Sequence, residues 1–130
     1  MKILVTGANG FLGRSLLTLD RQVEWIGCGR RSAVGGIPYR QAELADRDSM
    51  AKLVAEVEPD WVINAAAMTN VDRCEKDARE ARQANVEIVE TLAEVCGTTG
   101  VGLVQISTDY VFDGKEGPYA EGDRTTPLSR

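Results

Sequence analysis

The chain has 130 residues, enough for one domain with a full core, and its 43% hydrophobic and 27% charged content is that of an ordinary soluble protein. A net charge of -5 without a long basic run argues against binding a nucleic-acid backbone over a wide face, but it leaves room for a small anionic ligand. Cys28, Cys74 and Cys96 are widely spaced and the chain has no histidine, so they read as reduced thiols and no metal site is expected.

The N-terminal run Met1-Lys2-Ile3-Leu4-Val5 breaks at Thr6-Gly7, too early for a signal peptide or a membrane span. The protein is therefore read as cytoplasmic, with neither a membrane nor a nucleic-acid partner. Lys2 to Thr6 is instead a short β-branched strand. A glycine-rich turn follows, then a helical stretch from Phe11 to Leu19. Further apolar runs lie at Val23–Gly27, Trp61–Ala65 and Val101–Ser107. Nearly continuous apolar runs, rather than alternating ones, predict parallel strands buried on both faces.

Between Cys28 and Pro38 the chain is too short and glycine-rich for a crossover helix, so a loop is expected there, then a short strand near Tyr39–Glu43. Asp46 or Asp48 can cap a helix through about Val57, which Pro59 ends. The clearest helix runs from about Ala78 to Cys96. Its core stripe is read as Ile88, Val89, Leu92, Ala93 and Cys96, with Gly97 and Gly100 as the stop. The tail from Asp113 to Arg130, rich in Gly, Pro, Asp and Thr, reads as loop. Alternating strands and helices of this kind imply right-handed βαβ units. The fold class is α/β, a Rossmann-type doubly wound parallel sheet in the order 3-2-1-4-5.

Thr6-Gly7-Ala8-Asn9-Gly10-Phe11-Leu12-Gly13 follows a strand and opens a helix, the context in which spaced glycines bind a pyrophosphate. Gly7 permits the tight turn, Gly10 lets the backbone approach the phosphates, and Gly13 lets the helix pack closely. Backbone N–H groups at the helix start then face the anion. Gly7, Asn9, Gly10, Phe11, Leu12 and Gly13 are accordingly candidate cofactor-binding residues. An NAD site places an acidic residue at the end of the second strand. Here no acidic residue occurs between Glu24 and Glu43, and the segment reads Gly27-Cys28-Gly29-Arg30-Arg31-Ser32. The guanidiniums of Arg30 and Arg31 suit a ribose 2′-phosphate, so the cofactor is read as NADP(H), with NAD(H) as the alternative.

The glycine pattern resembles the extended short-chain dehydrogenase/reductase superfamily. Two further runs are similar to loops of the dTDP-4-dehydrorhamnose reductase family. These are Asn64-Ala65-Ala66-Ala67-Met68-Thr69-Asn70-Val71-Asp72-Arg73-Cys74-Glu75 and Ser107-Thr108-Asp109-Tyr110-Val111-Phe112-Asp113-Gly114. Gly117-Pro118-Tyr119-Ala120-Glu121 and Pro127-Leu128 also fit, so the resemblance covers the whole chain.

The resemblance implies roles for single residues. Thr108 matches the Ser/Thr of a Ser/Thr-Tyr-Lys catalytic set. Ala65, Ala66 and Ala67 would let the cofactor lie over a strand end, with Glu43 and Leu44 beside the adenine. Thr69, Val71, Asp109 and Tyr110 would border the sugar-nucleotide pocket. The implied activity is NADPH-dependent reduction of a 4-keto-6-deoxy nucleotide sugar, a dTDP-sugar in dTDP-rhamnose synthesis, by an enzyme able to form homo-oligomers.

The family's Tyr-x-x-x-Lys occurs nowhere in this chain. Residues 1–130 are therefore expected to be an incomplete dinucleotide-binding domain without its catalytic Tyr and Lys or its substrate domain, inactive alone. Two other readings stay open. One is a non-catalytic NADP-binding regulatory subunit of the methionine adenosyltransferase type, against which Thr69-Asn70-Val71-Asp72 argues. The other is a nucleotide-sugar epimerase or dehydratase, against which the Asp109–Gly114 run argues.

Overall fold

The computed structural model describes residues 1–20, 22–32 and 36–128. Five parallel strands, β1 (Lys2–Thr6), β2 (Glu24–Gly29), β3 (Tyr39–Gln41), β4 (Trp61–Asn64) and β5 (Gly102–Gln105), form one sheet in the order β3-β2-β1-β4-β5. This is the expected doubly wound order. β2 continues two residues past the expected Gly27, because Cys28 and Gly29 pair with Arg40 and Gln41 of β3. β5 stops at Gln105, short of Ser107. Residues 33–35 of the expected loop and residues 129–130 of the expected tail lie outside the described residues.

The helices are α1 (Phe11–Leu16), α2 (Arg47–Val57), α3 (Val71–Lys76), α4 (Ala78–Arg82) and α5 (Ile88–Thr99). Asp46 caps α2, its carboxylate accepting from Ser49 N at 2.6 Å, while Asp48 sits in the first turn. α2 and α5 cover one face of the sheet. Met50, Leu53, Val54 and Val57 pack there with Ile88, Leu92, Val95 and Cys96 over Leu4, Ile26 and Val62. On the other face α1 contributes Leu17, from the turn that follows it, against Ile3, Val5 and Ala8. That face lies open toward β4 and β5, where Trp61, Val104 and Ile106 are 44%, 40% and 41% exposed.

Three local readings are corrected. α5 runs through Gly97 and ends at Gly100, whose left-handed backbone (φ 74°) turns the chain out of the helix. Its buried stripe is Ile88, Thr91, Leu92, Val95 and Cys96, while Val89, half-buried, and Ala93, exposed, fall outside it. Offsets of 0, 3, 4, 7 and 8 keep side chains on one face, and Ala93 lies off that row. α1 ends at Leu16 rather than Leu19 and continues only as turn.

Candidate functional site

The carboxyl ends of β1, β2 and β4 meet at a cleft of about 350 Å³. Gly7, Asn9, Gly10, Arg30, Arg31, Leu44, Ala66 and Ala67 line it, as the sequence suggested, together with Cys28, Tyr39, Ala84 and Ile88, which it did not. A larger groove of about 500 Å³ involves Leu17, Trp25 and Pro38, but its charged lining groups are Asp20 and Glu24, which would repel a phosphate.

The turn after β1 is shaped by close approaches. Gly7 has φ +64°, and a methyl group on it would stand 2.6 Å from Ala65 O. Any side chain there would drive the turn away from the end of β4. At Gly13 a methyl group would come within 2.7 Å of Ala8 Cα. Gly13 thus lets α1 pack closely on its own turn, against Gly7 and Ala8. Gly10 is the N-cap, with no capping side chain, so the helix-start N–H groups of Phe11, Leu12 and Gly13 have no intrahelical acceptor. Phe11, Leu12 and Gly13 are not among the residues that line the cleft. The Phe11 ring itself is 93% exposed.

At the other wall Arg30, Arg31 and Ser32 follow β2 and are exposed. Among the described residues neither guanidinium takes part in a salt bridge. Two side chains fix the backbone here. Gln41 Nε2 donates to Arg30 O at 2.7 Å, and Asn9 Nδ2 donates to Ser32 O at 3.1 Å. Cys28 is buried, and burial pushes its thiol up to about 12, so it stays protonated and unreactive. Leu44 is buried in the cleft wall. Neighbouring Glu43 is exposed and its N–H donates to Ser49 Oγ at 3.3 Å.

Beneath the cleft runs a buried polar chain that sequence reasoning missed. Thr6 Oγ1 donates to Asn64 Oδ1, which also accepts from Ala66 N at 3.2 Å. Asn64 Nδ2 donates to Gln105 Oε1 at 2.7 Å, and Gln105 Nε2 donates to Ile106 O at 2.7 Å. Thr6 and Asn64 are fully buried. The chain ties the ends of β1, β4 and β5 into one rigid unit under the glycine turn.

A second missed element is the wide π-helical turn Gln83–Glu87 between α4 and α5. Asn85 projects from it onto the loop after β4, accepting from Met68 N at 2.8 Å and donating to Met68 O at 3.1 Å. Cys74 Sγ also lies 3.4 Å from Met68 O. This clamp holds the segment that carries Ala66, Ala67, Thr69 and Val71. Ala84 and Ile88, next to it, reach the cleft. Inserted π turns are common at functional sites because they re-aim a side chain without ending the helix. α3 is capped by Asn70, accepting from Arg73 N at 2.8 Å.

Thr108, Asp109 and Tyr110 lie beyond β5, exposed, and do not line the cleft. Thr108 Oγ1 accepts from Tyr110 N at 3.2 Å and donates to Asp109 Oδ1 at 3.3 Å, capping the short 3₁₀ turn Asp109–Val111. The turn is held from behind by Thr126 N donating to Val111 O at 2.8 Å. Further on, Phe112 and Tyr119 stack with ring centroids 4.4 Å apart. The Tyr119 hydroxyl donates to Asp113 Oδ1 at 2.7 Å and, with backbone N–H from Lys115, holds the Asp113 carboxyl below its ordinary range. Thr69, on the clamped loop, and Val71, the first residue of α3, lie outside the cleft lining, and Ala65 meets Gly7 through its backbone. Among the described residues no cluster of metal-ligating side chains is present, and no helix is long and apolar enough to cross a membrane.

Comparison with known proteins agrees with this geometry. The chain is 41% identical over 134 residues to dTDP-4-dehydrorhamnose reductase of Burkholderia thailandensis, covering 99% of this chain and 41% of that protein. It is 35% identical over 130 residues to methionine adenosyltransferase 2 subunit beta of Rattus norvegicus, covering 98% of this chain and 38% of that one. The chain thus spans about two fifths of the length of the curated relatives it matches.

Among solved structures, a hypothetical dTDP-4-dehydrorhamnose reductase from Sulfolobus tokodaii superposes with a TM-score of 0.89 at 37% identity, over 99% of this chain and 47% of that one. The dTDP-4-dehydrorhamnose reductase of Bacillus anthracis, in complex with NADP, gives 0.82 at 29% identity, over 98% of this chain and 44% of that one. The family described as RmlD substrate binding domain matches residues 1–130, the full extent of the sequence, and the chain belongs to that family.

Proposed function

We propose that this chain is the dinucleotide-binding part of an NADPH-dependent reductase acting on a 4-keto-6-deoxy sugar linked to dTDP. The observation that carries the reading is the cleft itself, with the glycine-rich turn on one wall and, on the other, Arg30 and Arg31, which form no salt bridge among the described residues. The residues fit a dinucleotide. The N–H groups at the start of α1 have no side-chain cap, and the small Ala66 and Ala67 line the cleft beside the end of β4. The complex of the Bacillus anthracis relative with NADP supports the same cofactor.

NADPH supplies hydride chemistry when bound, and the chain's own residues bind and orient. Gly7, Gly10 and the N–H groups of Phe11 and Leu12 receive the pyrophosphate. Arg30 and Arg31 hold the 2′-phosphate by charge-assisted hydrogen bonds. Leu44 borders the adenine, and Glu43 stands beside it. Thr108 donates its hydrogen to the substrate carbonyl oxygen in place of Asp109, while Thr69, Val71, Asp109 and Tyr110 border the sugar nucleotide. Protonation of the developing alkoxide needs a general acid, which the resemblance assigns to a Tyr outside residues 1–130.

The test is NADPH oxidation by the full-length protein with a dTDP-4-keto-6-deoxyhexose. Turnover that falls sharply on Thr108→Ala supports the reading, and its absence with every such sugar overturns it. The 35% identity to methionine adenosyltransferase 2 subunit beta favours a second reading, a binding module, which would hold NADPH without oxidising it.

A further inference from the structure

Tyr39 opens β3 and pairs in register with Gly27. Its ring lies along the end of β2. A methyl group on Gly27 would come within 3.0 Å of the ring's Cδ2, and one on Gly29 within 2.9 Å of the phenol oxygen. The Gly27-Cys28-Gly29 spacing leaves room for this ring, which a side chain at either glycine would displace. The ring is half-buried, and its hydroxyl reaches the cleft shared with Arg30 and Arg31. It accepts a long hydrogen bond of 3.5 Å from Asn9 Nδ2, the same amide that donates to Ser32 O. Among the described residues no acceptor takes the hydroxyl's own hydrogen. Burial, with a smaller contribution from the Cys28 thiol, pushes the phenol above its ordinary range, so it keeps that hydrogen at neutral pH.

This places a hydrogen-bond donor between the glycine turn and the end of β2, the location of the adenosine ribose in dinucleotide folds of this order. We propose that Tyr39 is a specificity-determining residue for the ribose. Its hydroxyl donates to the 2′-phosphate that Arg30 and Arg31 hold by charge. The inference rests on the NADP reading above. Phosphate bound only by exposed guanidiniums is held by charge with little geometric constraint. A fixed neutral donor on the sheet adds direction.

The experiment is calorimetric titration of the chain with 2′,5′-ADP and with 5′-AMP, probes that differ by the 2′-phosphate alone. The wild-type chain should prefer 2′,5′-ADP. Tyr39→Phe keeps the ring on Gly27 and should weaken 2′,5′-ADP by roughly tenfold, the scale of one hydrogen bond to a charged group, while changing 5′-AMP by less than about twofold. Gly29→Ala, which pushes the hydroxyl aside, should give the same selective loss with the tyrosine intact. Equal losses for both probes, or none, overturn the proposal. An arginine pair variant, Arg30→Glu with Arg31→Glu, separates the two ideas. If it abolishes the preference while Tyr39→Phe behaves as wild type, Tyr39 is refuted alone. If wild type shows no preference, or binds neither probe, the NADP reading falls and this inference with it.

Discussion

Replacing Asn64 with leucine should cost this chain roughly 2–5 kcal/mol of stability, because two buried or half-buried donors lose their acceptor. Thr6 Oγ1 and Ala66 N both donate to Asn64 Oδ1, and Thr6 has no exposure at all. A buried hydroxyl left unpaired costs about 1–3 kcal/mol, and a half-buried amide adds a similar or smaller amount. Gln105, exposed on the edge strand, turns to water at little cost. Leucine is close to asparagine in shape, so cavity formation contributes little. Urea denaturation followed by circular dichroism gives the free energy, and a loss in this range should lower the melting temperature by roughly 10 °C.

The decisive measurement is the double-mutant cycle with Thr6→Val. If the hydroxyl's lost acceptor is the cause, removing the hydroxyl as well should recover about 1 kcal/mol or more, making the pair strongly non-additive. Additive losses, or a loss below about 0.5 kcal/mol for Asn64→Leu alone, would refute the account of a buried polar chain and leave ordinary packing in its place.

Other perturbations test the cleft and the segments around it. Gly10→Val should abolish dinucleotide binding and leave the circular dichroism spectrum intact, and near-normal affinity would move the cofactor site elsewhere. The Phe112–Tyr119 stack should loosen in acid. The folded Asp113 carboxyl sits below its ordinary range, so its contribution is complete above the unfolded value and fades as pH falls through the folded one. Tyrosine ring resonances should therefore shift below about pH 4 and stay constant from 5 to 8, and a transition near neutrality would contradict the assignment. The outer edge of β5 is unpaired among the described residues, with Val104 and Ile106 exposed beside it. Residues 1–130 should associate as concentration rises, and Val104→Lys should reduce that in sedimentation velocity. A chain that stays monomeric at every concentration counts against the edge argument.

What could be read in the sequence was what depends on neighbours along the chain. The apolar runs marked four strands, the glycine turn marked its own close approaches, and Asp46 marked the start of α2. Features built by distant partners left no local trace. Asn85 reaches Met68 across 17 positions, and Asn64 reaches Gln105 across 41. Asparagine in a helix interior usually signals a weak helix, yet here it marks the π turn. A faint signal did exist for Tyr39. Two glycines flanking a cysteine inside a buried strand mean that something large lies over them. The misread stripe on α5 arose because Ala93 is apolar by type while the helix period assigns its place to Val95.

The cleft and the turn that follows β5 are held by different means, and this sets what mutation can separate. On the side of the cleft proposed for the adenosine, the backbone is anchored from within. Ala8, Cys28 and Gly29 are buried, and Asn9 and Gln41 hold the Arg30–Ser32 backbone in place. Beyond the cleft Thr108 and Tyr110 stand on an exposed 3₁₀ turn after an edge strand, secured by hydrogen bonds to its own backbone and by Thr126. Buried strand ends tolerate little movement, whereas a loop held by a few exposed bonds opens at low free-energy cost. On the proposed role of Thr108, substitutions around Thr108 and Tyr119 should therefore lower turnover while leaving dinucleotide affinity nearly untouched. Substitutions at Thr6, Asn64 or Gly13 should damage both, because the unit they lock carries the turn on one side and the strand that leads to Thr108 on the other.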